Sequence, residues 1–423
     1  MSVPRVCPVW LLVLIGWLVL DEGAHAGDHD LSHPEELWPV SYAQALDWID
    51  RTPEVRSRID AARGLVERRN QVTALPSDLM LSAEAGPRLG EGSTAAGRIG
   101  ASQTFALAAL GDARRGVLHD AARVLTAEQR SVRFARRSEV ARAWLELSYA
   151  HKALEVATRE RGLAEELARV TLRGVSLGEL TAADAADASA YAAEAQLNQL
   201  AAEGALADAR FELSRSLAVV DRLLDARGEP PQLSALSTHE REQLHARIAA
   251  VPAVIEQLRQ IELVDARKRE LQASHAPQLG VGVLLERGDA ASLTALATAT
   301  LSVPLRERAT REHAELDATQ RILHGNMEQA RARAHVELER LIHDAEHAQR
   351  LVEYTERELM PAIDKGLQAR EALFRAGESS VLELILARRS ALVLRLRQER
   401  GRIDRAAALA RLSELQRAVQ DAP

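Results

Sequence analysis

The second half of this chain repeats the order of the first, and that repetition restricts the available folds more than any other feature. Thr52-Pro53-Glu54-Val55 resembles Val251-Pro252-Ala253-Val254, Gly178 matches Gly377, and Ala188 matches Ala387, each pair offset by 199 residues. Leu75-Pro76-Ser77-Asp78-Leu79 pairs with Ala276-Pro277-Gln278-Leu279 after a slip of about two residues. Each half reads as a helix ending near a proline, two short alternating segments, a very long helix, a glycine turn and another long helix. A unit of this length exceeds the usual solenoid repeat and points to a duplication rather than an open-ended array. Chance similarity between Ala/Leu/Arg-rich helices would explain the helices. It would not explain the ordered recurrence of proline, strand pair and glycine.

The helical segments carry narrow apolar seams. Leu316, Leu323, Met327, Ala330, Ala334, Leu338, Leu341, Ala345, Ala348 and Val352 recur at steps of three, four or seven. Leu118, Ala122, Leu125 and Val132, then Val140, Ala143, Leu147, Ala150, Leu154 and Ala157, do the same in the first half. This is coiled-coil spacing, and alanine in the seam lets helix axes approach closely. From Asp112 to about Leu172 the helix would be ~90 Å long at 1.5 Å per residue. A helix that long needs equally long partners, which the other half supplies. Pro361 predicts a kink or local break, because it lacks an N–H and its ring crowds the preceding turn. Its counterpart is Gly162, so the sequence predicts a bend at one height in both halves.

Two segments have the other periodicity. Leu279, Val281, Val283 and Leu285 share one face of a strand, followed by the turn Gly288-Asp289-Ala290-Ala291. Leu293, Ala295, Ala297, Ala299, Leu301 and Val303 then share a face, and Thr294, Thr298, Thr300 and Ser302 line the opposite one. The first half repeats this more weakly with Leu79, Leu81, Ala83 and Ala85, then Thr94 to Leu107 after Gly90-Glu91-Gly92. Strict alternation over ~10 residues suits a membrane β-strand, apolar to lipid and polar to a lumen. A soluble hairpin packed on helices is the other reading, and an aromatic content of 3% leans toward it because membrane barrels usually carry aromatic girdles. Four strands cannot close a useful barrel, so membrane strands would require several chains to share one.

The N-terminus predicts export. Arg5 precedes the apolar run at residues 9–20, and Ala24-His25-Ala26 has the small-x-small pattern of a cleavage site. An uncleaved anchor is the alternative, but the run is short for a bilayer span. The single cysteine, Cys7, lies ahead of the apolar run, which leaves neither a disulfide framework nor a thiolate metal site downstream. The net charge of −7 gives no footprint for nucleic acid.

No catalytic arrangement is found: there is no P-loop, dinucleotide fingerprint, nucleophile elbow or HExxH, and no cofactor is implied. Glu339, His343 and His347 recur every four residues on one helix face, but without a third nearby histidine or an ordering partner they are not assigned to a metal.

Taken together, these motifs resemble the TolC-like outer-membrane efflux proteins over essentially the whole mature length. Val40-Ser41-Tyr42-Ala43-Gln44-Ala45-Leu46 with Thr52-Pro53-Glu54-Val55 is similar to that family's opening helix. Pro277, and Leu301-Ser302-Val303-Pro304-Leu305, match its hairpin borders. Leu177-Gly178-Glu179-Leu180 with Asp184 and Ala188 resembles its glycine turn, and Ala376-Gly377-Glu378-Ser379-Ser380-Val381-Leu382-Glu383 with Ala387 resembles the second copy.

The resemblance implies a mainly α fold with a small β part, in which a duplicated unit of long coiled-coil helices plus β-hairpins forms a trimeric α-barrel topped by a shared 12-stranded transmembrane β-barrel. The chain would divide into a signal peptide at 1–26 and a first repeat at 27–220, with its hairpin at about 78–107. A linking, equatorial segment at 221–247 would follow, then a second repeat at 248–423 with its hairpin at about 278–303. Such a homotrimer would sit in the outer membrane and extend into the periplasm. It would serve a tripartite efflux system with a periplasmic adaptor and an inner-membrane pump of resistance-nodulation-division or related type, exporting small molecules or metal ions.

The same resemblance implies the functional residues. Leu177, Gly178, Ala376 and Gly377 would be adaptor-docking tips, with Val175 and Phe374 adding apolar contacts. Asp184, Asp187 and Glu383 would form the candidate pore constriction; in a three-fold pore each becomes a ring that attracts cations. Leu386 replaces the second carboxylate expected after the second turn, so the acidic constriction departs from the family's pattern. Leu279, Val281, Val283 and Leu285 would face lipid. The strand loops are short, which leaves the external mouth little covered. The competing assignment is a soluble periplasmic coiled-coil adaptor or scaffold.

Overall fold

A computed structural model describes residues 37–72, 79–87, 95–106, 109–287, 293–303 and 306–421. The signal-peptide expectation at 1–26 lies outside these residues. The described chain includes β1 (Trp38–Val40), α1 (Tyr42–Trp48), a 3₁₀ turn (Ile49–Arg51) and α2 (Pro53–Gln71). The hairpin strands β2 (Leu79–Pro87) and β3 (Ala95–Ala106) follow, then α3 (Leu110–Ser176) and α4 (Ala182–Ser216). The second half runs β4 (Leu224–Ala226), α5 (Thr238–Ala246), a 3₁₀ turn (Ile248–Ala250) and α6 (Pro252–Ser274). It continues with β5 (Gln278–Arg287), β6 (Leu293–Ser302), α7 (Arg306–Tyr354), a π-helical turn (Thr355–Leu359), α8 (Met360–Arg375) and α9 (Val381–Gln420).

The duplication is visible element by element. α1 and α5 each open on a capping box, Ser41 with Gln44 and Ser237 with Glu240, which satisfies otherwise orphaned backbone donors at both helix starts. Each leads through a 3₁₀ turn to a helix with proline in its first turn, where the missing N–H costs nothing.

The seams are buried over part of their length, while Leu118, Leu125, Val132 and Leu154, and Leu316, Leu323, Met327, Ala330 and Ala334, are half-buried. Val140, Ala143, Leu147, Ala150 and Ala157 in α3, and Leu338, Leu341, Ala345, Ala348 and Val352 in α7, are all in the core. α3 packs against α2, α4, α6 and α9, and α7 against α6 and α9. Three buried clusters result. One surrounds Trp144, which is fully buried, donates its indole N–H to the Val40 carbonyl at 2.8 Å and meets Tyr42 edge-on. A second joins α5, α6, α7 and the C-terminal part of α9. The third lies where α3 and α4 meet α8 and α9.

The two halves differ at the expected bend. α3 is one helix of 67 residues, continuous through Gly162. The counterpart is interrupted by the π turn at Thr355–Leu359, immediately ahead of Pro361. Proline removes a donor and clashes with the carbonyl four residues back, so the helix must adjust. Glycine keeps its N–H and costs only about 1 kcal/mol of propensity, which a packed 67-residue helix absorbs. A bend shared by both halves is therefore corrected to a helical irregularity in the second half alone.

β1 and β4 form a parallel two-stranded ladder, Trp38 opposite Leu224 and Val40 opposite Ala226. The hairpins join into a four-stranded antiparallel sheet in the order β2-β3-β5-β6. The central pairing puts Ala101 opposite Val283, so the halves meet at β3 and β5 and leave β2 and β6 as edges.

Candidate functional site

The sheet has two chemically distinct faces because side chains alternate. Leu279, Val281, Val283 and Leu285 share one face, and all are exposed in the single chain. Register places Leu81, Ala101 and Ala297 in the row of Val283, and Ala83, Ile99 and Ala295 in the row of Leu285. Leu79, Leu81, Ile99 and Leu301 are exposed on this face too, at 62, 75, 66 and 63%. A patch of this extent on a folded chain marks an interaction surface rather than ordinary solvent exposure. The predicted lipid-face residues are thus brought together, and the apolar face extends across all four strands, interrupted by Gln103 in the row of Val281 and bounded by Arg287.

The opposite face is mostly small and polar. It carries Ser82, Gly100, Ser102, Thr104, Gly280, Gly282, Thr298 and Thr300, with Met80, Leu284 and Leu296 as its larger apolar members. At Gly282 a Cβ would come within 2.7 Å of the Ser102 Cβ, 2.8 Å of the Ala101 carbonyl oxygen and 2.9 Å of the Thr298 hydroxyl. The strands crowd on this side, as in a sheet that curves toward it, and only glycine fits. One row near the hairpin turns is charged. Glu84 lies opposite Arg98, which lies opposite Glu286, and Arg98 reaches Glu286 at 3.3 Å. Alternation within each strand suggests which face these residues occupy, but only the cross-strand register reveals that they form one row.

At the other end of the helices the two glycine turns are closely matched. Gly178 has φ +76° and Gly377 φ +77°. The Glu179 N–H donates to the Gly174 carbonyl and the Gly178 N–H to that of Val175; Glu378 and Gly377 donate likewise to Leu373 and Phe374. These are Schellman caps, which need the left-handed conformation that glycine supplies. Leu177 is 65% exposed, and Gly178, Ala376 and Gly377 are exposed with it. Val175 and Phe374, expected to be exposed, are half-buried, and Phe374 packs into the cluster joining the two hairpins. That cluster, built on Ala188, Tyr191, Val381, Leu384 and Ile385, sets the two tips side by side.

Asp184 and Glu383 are the third residues of α4 and α9, and each carboxylate is engaged at its own helix start. The Thr181 hydroxyl and N–H donate to the Asp184 carboxylate at 2.7 and 2.9 Å, while the Asp184 N–H donates to the Thr181 hydroxyl at 3.2 Å. The Thr181 hydroxyl, then its backbone N–H, hold the Asp184 carboxyl below its ordinary range. In the second copy the Glu383 N–H donates to the Ser380 hydroxyl at 3.2 Å, but its carboxylate accepts from Ser379 at 2.7 Å, so the cap is not reciprocal. Asp187, one turn on, is exposed, and its counterpart Leu386 is 52% exposed.

Glu339 faces His245 at 3.3 Å, and His343 stacks on His347 with ring centroids 6.1 Å apart. Among the described residues no group of three or more His, Cys, Asp or Glu is placed to hold a metal ion, and no helix is long and apolar enough to cross a membrane.

Solved structures share this fold over nearly the whole chain. The outer-membrane channel OprN superimposes with a TM-score of 0.69 at 16% identity, covering 89% of each chain. The CmeC outer-membrane channel of Campylobacter jejuni gives 0.66 at 12% identity, covering 89% of this chain and 85% of that one. The MtrE outer-membrane channel of Neisseria gonorrhoeae gives 0.66 at 14% identity, with 89 and 88% covered. No protein-family model and no curated protein matches the sequence.

Proposed function

We propose, from a chain that has the fold of the TolC-like outer-membrane channels, that it is one subunit of an outer-membrane efflux duct. The observation that carries this function is the sheet: an exposed apolar face, a polar opposite face and two edge strands, at one end of long packed helices. An open edge presents unpaired backbone groups, and lipid tolerates strands only in closed barrels. One chain supplies four strands. Three copies pairing β6 of each with β2 of the next give twelve strands in an alternating antiparallel barrel, and the helices continue it as a periplasmic α-barrel.

In this assembly Leu279, Val281, Val283 and Leu285 meet lipid. Leu177, Gly178, Ala376 and Gly377 form the tips that meet a periplasmic adaptor, which links the duct to an inner-membrane pump. Asp184, Asp187 and Glu383 ring the periplasmic entrance. Small molecules or metal ions are the cargo class. The exposed apolar sheet face favours this assignment over a soluble periplasmic scaffold, which would have to cover it.

Fractionation combined with bilayer recording tests the assignment. The protein is expected in the outer membrane, as a cross-linkable trimer that needs detergent and conducts ions in planar bilayers. A monomer confined to the soluble periplasmic fraction would overturn it.

A further inference from the structure

The polar face of the sheet carries its charges in a single row. Along β2, β3, β5 and β6 the residues of this face are uncharged, apart from Glu84, Arg98 and Glu286. These three lie directly across from one another, and the row ends on Thr294 of β6. The row sits close to the hairpin turns, far from the helices: Glu286 is the next-to-last residue of β5 and Thr294 the second of β6. Ion-pairing alone does not explain its composition. Arg98 and Glu286 bridge at 3.3 Å, with side chains 50 and 22% exposed, and that pair is neutral. Glu84 adds a second carboxylate on the other side of the same arginine, so each chain contributes a net charge of −1 at this level.

We propose that Glu84, Arg98 and Glu286 form a charge collar that sets ion preference at the outer end of the lumen. The inference rests on the assignment of the chain as a channel subunit with this face inward. In three copies the row reads carboxylate, guanidinium, carboxylate, threonine around the ring, with a net charge of −3. Uncharged side chains line the levels below, so no other charge on the described part of this face offsets it. A ring of fixed like charge raises local counter-ion concentration and repels co-ions. The collar therefore favours inorganic and organic cations over anions, and it acts at the opposite end of the duct from Asp184, Asp187 and Glu383.

Reversal potentials in planar bilayers under a KCl gradient test this with the detergent-purified full-length protein. Glu84→Lys changes the net charge of each row from −1 to +1 and leaves the Arg98–Glu286 pair in place. It is expected to reverse the preference from K⁺ toward Cl⁻. Glu84→Gln should lower the K⁺/Cl⁻ permeability ratio by roughly twofold or more, and Arg98→Gln should raise it by a similar factor. The exchanged pair Arg98→Glu with Glu286→Arg keeps the net charge and should leave the ratio unchanged. All shifts should be large at 0.1 M salt, where screening extends ~10 Å, and fade at 1 M, where it extends ~3 Å. Channels of wild-type conductance whose selectivity is the same in Glu84→Lys, Glu84→Gln and Arg98→Gln overturn the collar alone. A wild-type protein that inserts no channels overturns the channel assignment, and the collar falls with it.

Discussion

Gly178 and Gly377 stand one repeat apart and adopt the same left-handed backbone, φ +76° and +77°, each closing a long helix with the same pair of hydrogen bonds. A Cβ at either position meets no atom within 4 Å, so the constraint is conformational and not steric crowding from neighbours. Gly178→Ala and Gly377→Ala should each destabilise the turn by about 1–2 kcal/mol. Hydrogen exchange should show this as faster exchange confined to the tip amides. Equal protection in variant and wild type would mean the caps do not hold the tips.

Ala218 provides the reciprocal test. It ends α4 with the same bonding pattern, the Val219 N–H donating to Ser214 and the Ala218 N–H to Arg215, at φ +53° without being glycine. Ala218→Gly should relieve about 1 kcal/mol of strain, less the entropy glycine adds to the unfolded chain. A rise in thermal midpoint is expected, and a fall would show the left-handed alanine to be unstrained.

The sheet makes a sharper demand at Gly282, because one of the atoms a Cβ would strike is the backbone oxygen of Ala101. Strands cannot yield there without losing the β3–β5 pairing. Gly282→Val should abolish membrane-inserted trimer, read as loss of the cross-linked species, whereas Val283→Leu on the apolar face should be tolerated.

Glu160 is buried in α3 near Arg388 and Arg395 of α9 and Glu371 of α8. Burial pushes its carboxyl above the ordinary range, partly opposed by the two arginines. The folded state therefore binds this proton more tightly than the unfolded state. The resulting stability is complete below a pH of about 4.3 and is lost as pH rises through the raised folded value. Glu160→Gln should be more stable than wild type at pH 7 and indistinguishable at pH 4, measured as denaturation midpoints in detergent. The same difference at both pH values would assign the effect to packing.

Arg137 and Glu414 form an ion pair between α3 and α9, with Glu414 only 4% exposed and Arg417 also bonded to it at 3.0 Å. Removing Arg137 leaves the buried Glu414 carboxylate with Arg417 alone, so Arg137→Ala should cost about 3 kcal/mol. The double replacement Arg137→Met with Glu414→Leu should recover most of that loss. Additive losses in the double variant would show that the pair does not act as a unit.

Features that a residue enforces alone were legible in the sequence. Gly178 and Gly377 marked reversals, and Leu279, Val281, Val283 and Leu285 declared a face, because left-handed φ and period-two alternation are local properties. What depends on register was not. The row of Glu84, Arg98 and Glu286 exists only once β2, β3 and β5 are aligned. Nor did three residues from Trp38 carry enough alternation to announce a strand, since their partner lies far along the chain. Gly162 and Pro361 looked equivalent as helix breakers, and the missing N–H of proline separated them. The carboxylates of Asp184 and Glu383 were legible as a matched pair, while their different caps depend on Thr181 against Ser379 and Ser380.

The ladder between β1 and β4 has a consequence for the order in which the molecule is made. Trp38–Val40 has no strand partner until Leu224–Ala226 has emerged, and the Trp144 indole that secures Val40 belongs to a helix completed in between. As the chain emerges N-terminus first, its beginning is therefore among the last parts to gain its strand partner. It stays without a strand partner while the first hairpin and both of its long helices pass. The second repeat thus begins by locking down the first, and a chain truncated before residue 224 should be left without its clasp.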